Sequence, residues 1–153
     1  MKVVILILCL LLIPAFLFAQ SPQESISTAA EIETLLNTKT VTYAHASRFI
    51  LQAANVFTTI DTNEAFNFAS ERDWLPKDLS SGDQAKLSHL SLLLMNSFNI
   101  KGGLFYSLFG SPHYAYRELV YLGVIQGRHA PNMPVSGEDM LFYINRLIAI
   151  LED

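Results

Sequence analysis

The residues from Tyr114 to Arg146 constrain the fold most, because they mark two helices and the loop that joins them. The apolar residues at the start of this stretch recur at helical spacing until Gly123, and glycine readily takes the left-handed conformation in which helices often end. Two prolines then favour an extended path through the loop. Ser136, with Asp139 three residues later, resembles the capping box that starts a helix. This stretch therefore predicts a helix–loop–helix unit.

Apolar residues recur every three or four positions through most of the remaining chain, which predicts an all-α fold. The clearest stripe follows Thr42, whose hydroxyl can accept an amide proton from the first turn of a helix. The segment 81–98 is apolar on nearly every face, so we expect a central, buried helix there. The run Leu104–Phe109 is too short to assign by periodicity.

Two more helices are predicted in the first half of the chain. Thr28 and Glu31 have the spacing of a capping box and predict a helix over 28–37. Helical spacing resumes over Glu64–Asp73 and stops at Pro76, because proline lacks an amide proton and restricts the residue before it.

The helix–loop–helix pattern occurs more than once. We align Ala65 with Ala115, and Ser81-Gly82-Asp83 with Ser136-Gly137-Glu138. This alignment requires a shorter loop in the upstream copy, and it makes Ser80 or Ser81 the expected cap of its second helix. A single helix pair cannot bury its apolar face alone, which favours stacked repeats. We therefore predict three units, near residues 28–57, 64–98 and 112–153, with the helix after Thr42 in the first.

The third unit contains Gly123-Val124-Ile125-Gln126-Gly127, then Pro131, then Val135-Ser136-Gly137-Glu138-Asp139. It resembles an S-layer homology domain, whose repeats have a helix, a Gly-Ile-x-x-Gly-like turn, a proline-containing loop and an Ile-Thr-Arg-Ala-Glu-like start to a second helix. Over residues 42–153 the resemblance implies a helical prism of three units that anchors an exported protein to cell-wall polysaccharide. The family's arginine, which helps to hold the anionic polymer, is replaced by Gly137 here and by Gly82 or Asp83 in the second unit.

The first nineteen residues predict export. Lys2 precedes an apolar run that ends at Ala19, a pattern typical of a secretory signal peptide that is cleaved after that residue. A retained anchor helix is the alternative, although Pro14 interrupts a run at the short end of the roughly 17–25 residues that a spanning helix needs. Residues 20–27 are then a flexible leader, and 28–153 a single domain in the periplasm or cell envelope. The Ala19-Gln20 end and the imperfect repeats also resemble small exported proteins of spirochaetes.

Charge and cysteine content exclude several classes of function. The net charge is -4 and the basic residues are scattered, so nucleic acid is not an expected partner. Cys9 is the only cysteine and lies in the apolar run, so the processed chain would have no disulfide and no thiol nucleophile. The four histidines do not pair with one another at ligand spacing, and we predict no metal and no cofactor. Glycine-rich phosphate loops and serine-nucleophile elbows are likewise missing from the sequence.

We therefore predict a non-enzymatic envelope module that binds cell-wall polysaccharide, peptidoglycan or an envelope protein. The alternative is an accessory subunit that uses apolar helix faces, and a third is a small envelope hydrolase with paired acids among Asp83, Glu138 and Asp139. The ligand is expected at the loops that join the helices of each unit. Trp74, Arg128 and His129 would supply stacking and charge, and Ser136 and Asp139 would order the helix start.

Overall fold

The structure, a computed structural model, describes residues 23–127 and 129–152, with only the backbone for 23–28. The predicted signal peptide and the start of the leader lie outside these residues. The described residues form seven α-helices and no strand, which confirms the all-α prediction. The helices are α1 (Gln23–Leu36), α2 (Tyr43–Ala53), α3 (Thr62–Glu71), α4 (Leu87–Ser97), α5 (Leu104–Phe109), α6 (Pro112–Tyr121) and α7 (Gly137–Glu152).

The chain divides into two compact parts between Glu33 and Thr34, inside α1. Helix α1 begins at Gln23, so Thr28 lies within it and does not cap it as predicted. Helices α2 to α7 all belong to the second part, which begins at Thr34.

Helix α4 is the centre of the core, as the sequence predicted. Nine of its eleven residues are buried, because apolar side chains cover almost its whole circumference. It packs against α6 and also against α2, and α2 packs in turn against α3. An asparagine with positive φ lies two residues after the last residue of both α2 and α4. These are Asn55 (53°) and Asn99 (51°), and asparagine tolerates this conformation better than most residues. The two helices therefore stop in the same way.

The starts of α2, α4 and α7 meet in a closed ring of three backbone hydrogen bonds. The ring joins Val41, Ala85 and Val135, each two residues before its helix begins, and all three side chains are buried. The amide of Val41 donates to the carbonyl of Val135 (2.9 Å), that of Val135 to Ala85 (3.0 Å) and that of Ala85 to Val41 (2.9 Å). Helix α2 thus enters the ring in the same way as the second helices of the other two units.

A second set of bonds ties the first residue of each of these helices to the loop of another unit. Because the three bonds follow one another around the ring, every loop holds the next helix start in place. The donors and acceptors are Tyr43 N–H to Asp83 C=O (3.0 Å), Leu87 N–H to Met133 C=O (3.0 Å) and Gly137 N–H to Thr38 C=O (2.9 Å).

The register that we predicted for the second unit is wrong. Helix α4 begins at Leu87, and its N-cap residue Lys86 makes no side-chain cap, whereas Ser80 and Ser81 lie in the preceding loop. The second and third units align with a constant offset of 50 residues. The alignment runs from Ala65 and Ala115 to Leu87 and Gly137, so the two loops have equal length. The evidence is matched bonds: Asp73 to Ser70 and Gly123 to Val120 (both 3.1 Å), then Asp83 to Ser80 (3.0 Å) and Met133 to Ala130 (3.1 Å).

Candidate functional site

Tyr116 and His129 begin a polar and aromatic surface in the third unit. The phenol of Tyr116 donates a 2.7 Å hydrogen bond to the backbone carbonyl of His129, which fixes the loop against α6. The His129 ring lies edge-on to Tyr143 of α7, with ring centroids 6.5 Å apart. Gly127, at φ 90°, turns the chain beneath the imidazole. Both Tyr116 and His129 are half-buried, so each keeps an accessible face.

Ser136 and Asp139 form the cap at the start of α7. The amide of Asp139 donates to the hydroxyl of Ser136 (3.1 Å), and that hydroxyl donates to the carboxylate of Asp139 (2.7 Å). The serine therefore satisfies one orphan amide of the first turn, and the negative charge sits at the positive end of the helix dipole. The hydroxyl of Ser136 is thus already engaged in both directions.

Tyr143 lies close to both the Tyr116–His129 pair and the Ser136–Asp139 pair. Its side chain is buried, and its pKa is raised to about 12 by burial first, then by the charge of Asp139 and by Tyr116. The phenol therefore stays neutral over the whole physiological range and keeps its proton to donate. The structure places its ring in the core.

These five residues, Tyr116, His129, Ser136, Asp139 and Tyr143, are called the Tyr116 cluster below. It combines aromatic faces with hydroxyl, imidazole and carboxylate groups, the chemistry that recognises sugars or peptides. Of the predicted site residues it contains His129, Ser136 and Asp139. Arg128 lies outside the described residues. Sequence reasoning missed Tyr143, although its position four residues after Asp139 puts both on one helix face.

Trp74 belongs to a different cluster, in the second unit. Its ring meets Phe68 edge-on, with centroids 6.1 Å apart, and Phe68 stacks on Phe57 at 4.4 Å. The guanidinium of Arg72 lies 3.5 Å from the centre of the Phe68 ring. The indole is half-buried, so packing uses one part of it and leaves another part open to solvent.

The ring of backbone bonds shows which residues of the three units are equivalent to Gly137. With the register set by Val41, Ala85 and Val135, that position holds Tyr43, Leu87 and Gly137. All three are buried. In this register the residue of the second unit that matches Gly137 is Leu87, whereas our sequence alignment paired Gly137 with Gly82. None of the three carries a positive charge.

Tyr43 instead anchors a hydrogen-bonded pair beside α4. Its hydroxyl lies 2.6 Å from Nδ1 of His89 and accepts the amide of Lys86 at 3.3 Å. Burial lowers the pKa of His89, and the charge of Lys86 lowers it further. This half-buried histidine therefore favours the neutral form and is engaged by Tyr43.

Two properties of the described residues bear on the class of function. Across 23–127 and 129–152, no three histidine or acidic residues come together in a way that could hold a metal ion. In the same part of the chain, every helix is too short or too polar to cross a membrane.

Comparison of the chain with protein-family models, with curated proteins and with solved structures finds no match.

Proposed function

We propose that the protein is an exported, non-enzymatic envelope module that binds cell-wall glycan at the Tyr116 cluster. The observation that supports this most directly is the convergence of Tyr116, His129 and Asp139 on the loop and helix start of the third unit. Sugars are held by aromatic faces and by hydroxyl, imidazole and carboxylate groups in fixed positions. Here the loop is fixed by the bond from Tyr116, and the carboxylate by the cap.

The proposal differs from the family pattern in the charge of the ligand it favours. The resemblance would put the family's arginine at Gly137; that residue and its equivalents Tyr43 and Leu87 are buried and carry no positive charge, so they offer no cation to an anionic polymer. The carboxylate of Asp139 would accept hydrogen bonds from sugar hydroxyls, and it would repel a polyanion. We therefore propose that the ligands are neutral or amino-sugar polymers such as peptidoglycan glycan strands. Arg128, which precedes His129 in the sequence, belongs to the same proposed site. Export by the apolar run before Ala19 is part of the same proposal.

The second candidate, an accessory subunit, is favoured by one observation. Helix α7 leaves Phe142, Ile150 and Leu151 exposed, and Arg146 lies over the Phe142 ring at 5.4 Å. Helix α4, which we also expected to offer an apolar face, is buried on almost every side and offers none. A protein partner would therefore use α7.

Retention of the purified chain on isolated peptidoglycan tests the first proposal. His129→Ala should reduce the apparent affinity about fivefold, the effect of about one good hydrogen bond. His113→Ala removes an exposed imidazole whose ring meets Tyr114, a residue outside the cluster, so it is the matched control and should bind normally. Trp74→Ala shows whether the second unit contributes.

Three results separate the candidates. Retention that drops for His129→Ala and not for His113→Ala supports the glycan site. Equal retention of both variants, or no retention of the unmodified chain, contradicts it. Assembly with an envelope protein that Phe142→Ser abolishes would favour the accessory subunit instead.

A further inference from the structure

Helix α5 presents an apolar surface that the other described residues leave uncovered. Its sequence is Leu-Phe-Tyr-Ser-Leu-Phe, and none of its six side chains is buried. Leu104 is 78% exposed and Leu108 69% exposed, with Phe105 and Phe109 more than half exposed beside them. These four residues are called the α5 patch. Isolated exposed apolar residues are ordinary, but four within six residues mark a contact surface.

The patch is held firmly in place. On its inner side Tyr106 packs against the core, and its hydroxyl donates to the side-chain oxygen of Asn96 at 3.4 Å. Gly102 is needed for this approach, because a Cβ there would lie 2.8 Å from Cβ of Tyr106. Tyr114 of α6 stacks on both phenylalanines, with centroids 5.8 Å from Phe105 and 5.3 Å from Phe109. The fold therefore displays these residues on a braced support.

The charge around the patch is opposite in sign to that of the protein. The chain as a whole is acidic, yet residues 84–117 contain no aspartate or glutamate. In this span the cations Lys101 and Arg117 flank α5 and both are exposed. The nearest acid in the sequence is Glu118, whose carboxylate lies against Gly103 at the other end of α5 from Phe109. The charged groups beside α5 are thus two cations and one carboxylate, so their balance is positive.

We propose that the α5 patch docks on the surface of a bilayer that contains anionic phospholipid. A helix of six residues is about 9 Å long, which suits shallow insertion parallel to the membrane plane at the boundary between headgroups and acyl chains. Phenylalanine and leucine would enter that boundary, and Lys101 and Arg117 would meet the lipid phosphates. Charge complementarity favours this partner over a second copy of the acidic chain.

A fluorescent reporter at the patch tests the proposal in the full chain. Trp74→Phe removes the only tryptophan, and Phe105→Trp then places the reporter indole in the patch. With vesicles of phosphatidylcholine and phosphatidylglycerol, its emission should shift to shorter wavelength and be quenched by lipids brominated on the acyl chain. The matched control carries Ile60→Trp in the same background, because Ile60 is 91% exposed and lies far outside the patch in sequence. Its emission should not change, even if the N-terminal apolar run also binds the vesicles.

Two variants of the reporter chain sharpen the result. Leu104→Ser with Leu108→Ser should weaken reporter quenching about tenfold or more, and both positions are exposed enough to spare the fold. Lys101→Glu with Arg117→Glu should weaken it on the anionic vesicles, as should added salt. Unquenched emission at position 105 on vesicles of phosphatidylcholine and phosphatidylglycerol would overturn the proposal. So would quenching that is unaffected by the serine variants, or self-association through the patch without vesicle binding.

Discussion

Gly137 is the glycine at which an added methyl group should destabilise the folded protein most. A Cβ at this residue would lie 2.7 Å from the carbonyl carbon of Leu35 and closer still to the carbonyl oxygen, whereas ordinary contacts begin at 3.4 Å. The obstacle is backbone and cannot rotate away. In Gly137→Ala, α7 and the end of α1 must therefore move apart by more than 0.7 Å, which is the difference between the 2.7 Å approach and an ordinary 3.4 Å contact.

That separation has a cost that can be worked from the contacts. Overpacking of a close backbone contact costs about 1–3 kcal/mol. Loss of the 2.9 Å bond from Gly137 N–H to the carbonyl of Thr38 adds about 1 kcal/mol. Alanine's better helix propensity returns at most about 1 kcal/mol. We expect Gly137→Ala to lower the free energy of unfolding by about 1–3 kcal/mol.

Urea unfolding followed by far-ultraviolet circular dichroism measures this change. A loss of this size should lower the urea midpoint by about 1–2 M. Gly82→Ala is the matched control, because nothing lies within 4 Å of its Cβ position and its φ is not positive. It should change stability by less than about 0.5 kcal/mol, or increase it slightly. Equal midpoints for the two variants would refute the close contact at Gly137.

Three further predictions concern titration and the core. The pKa of Tyr143 is raised to about 12, so the stability it contributes should be complete below about pH 10 and be lost between about pH 10 and 12; Tyr143→Phe should remove that part of the alkaline slope in urea unfolding. The pKa of His89 is lowered, so the unfolded chain takes up its proton first and stability should fall as the pH drops below about 6.5; an unchanged acid slope in His89→Gln would contradict this. Leu93→Ala in α4 should cost about 2–5 kcal/mol in thermal or urea unfolding, whereas Leu104→Ala in the exposed patch should stay within about 0.5 kcal/mol.

The parts of the fold that sequence predicts are those that depend on local pattern. The apolar circumference of α4 alone indicated its burial, and Ser136 capped α7 as its spacing to Asp139 predicted. The start of α4 could not be found in this way. Lys86 has no capping side chain, and the helix starts there because Leu87 and Ser88 donate their amides to the loop of another unit.

The Tyr116 cluster was predictable only in part, for a related reason. Tyr143 lies on the same face as Met140, Ile144 and Leu147 and is buried with them, so the helical pattern indicates core packing and not a binding role. Tyr116 meets His129 across thirteen residues of turn and loop, whose path no local rule specifies. Helix α5 was too short for periodicity, and its exposed side chains give no core pattern to detect.

The ring of Val41, Ala85 and Val135 also fixes how many units this architecture can have. Open solenoids gain or lose repeats at their ends, since each repeat touches only its neighbours. In a closed ring each member donates one bond and accepts one, so a fourth member has nowhere to insert and two members cannot close. The final bond must wait for Val135, the member nearest the C-terminus. We therefore expect the chain to fold in one step, after Val135 has been synthesised. Fragments that end before Val135 should not reach the folded state.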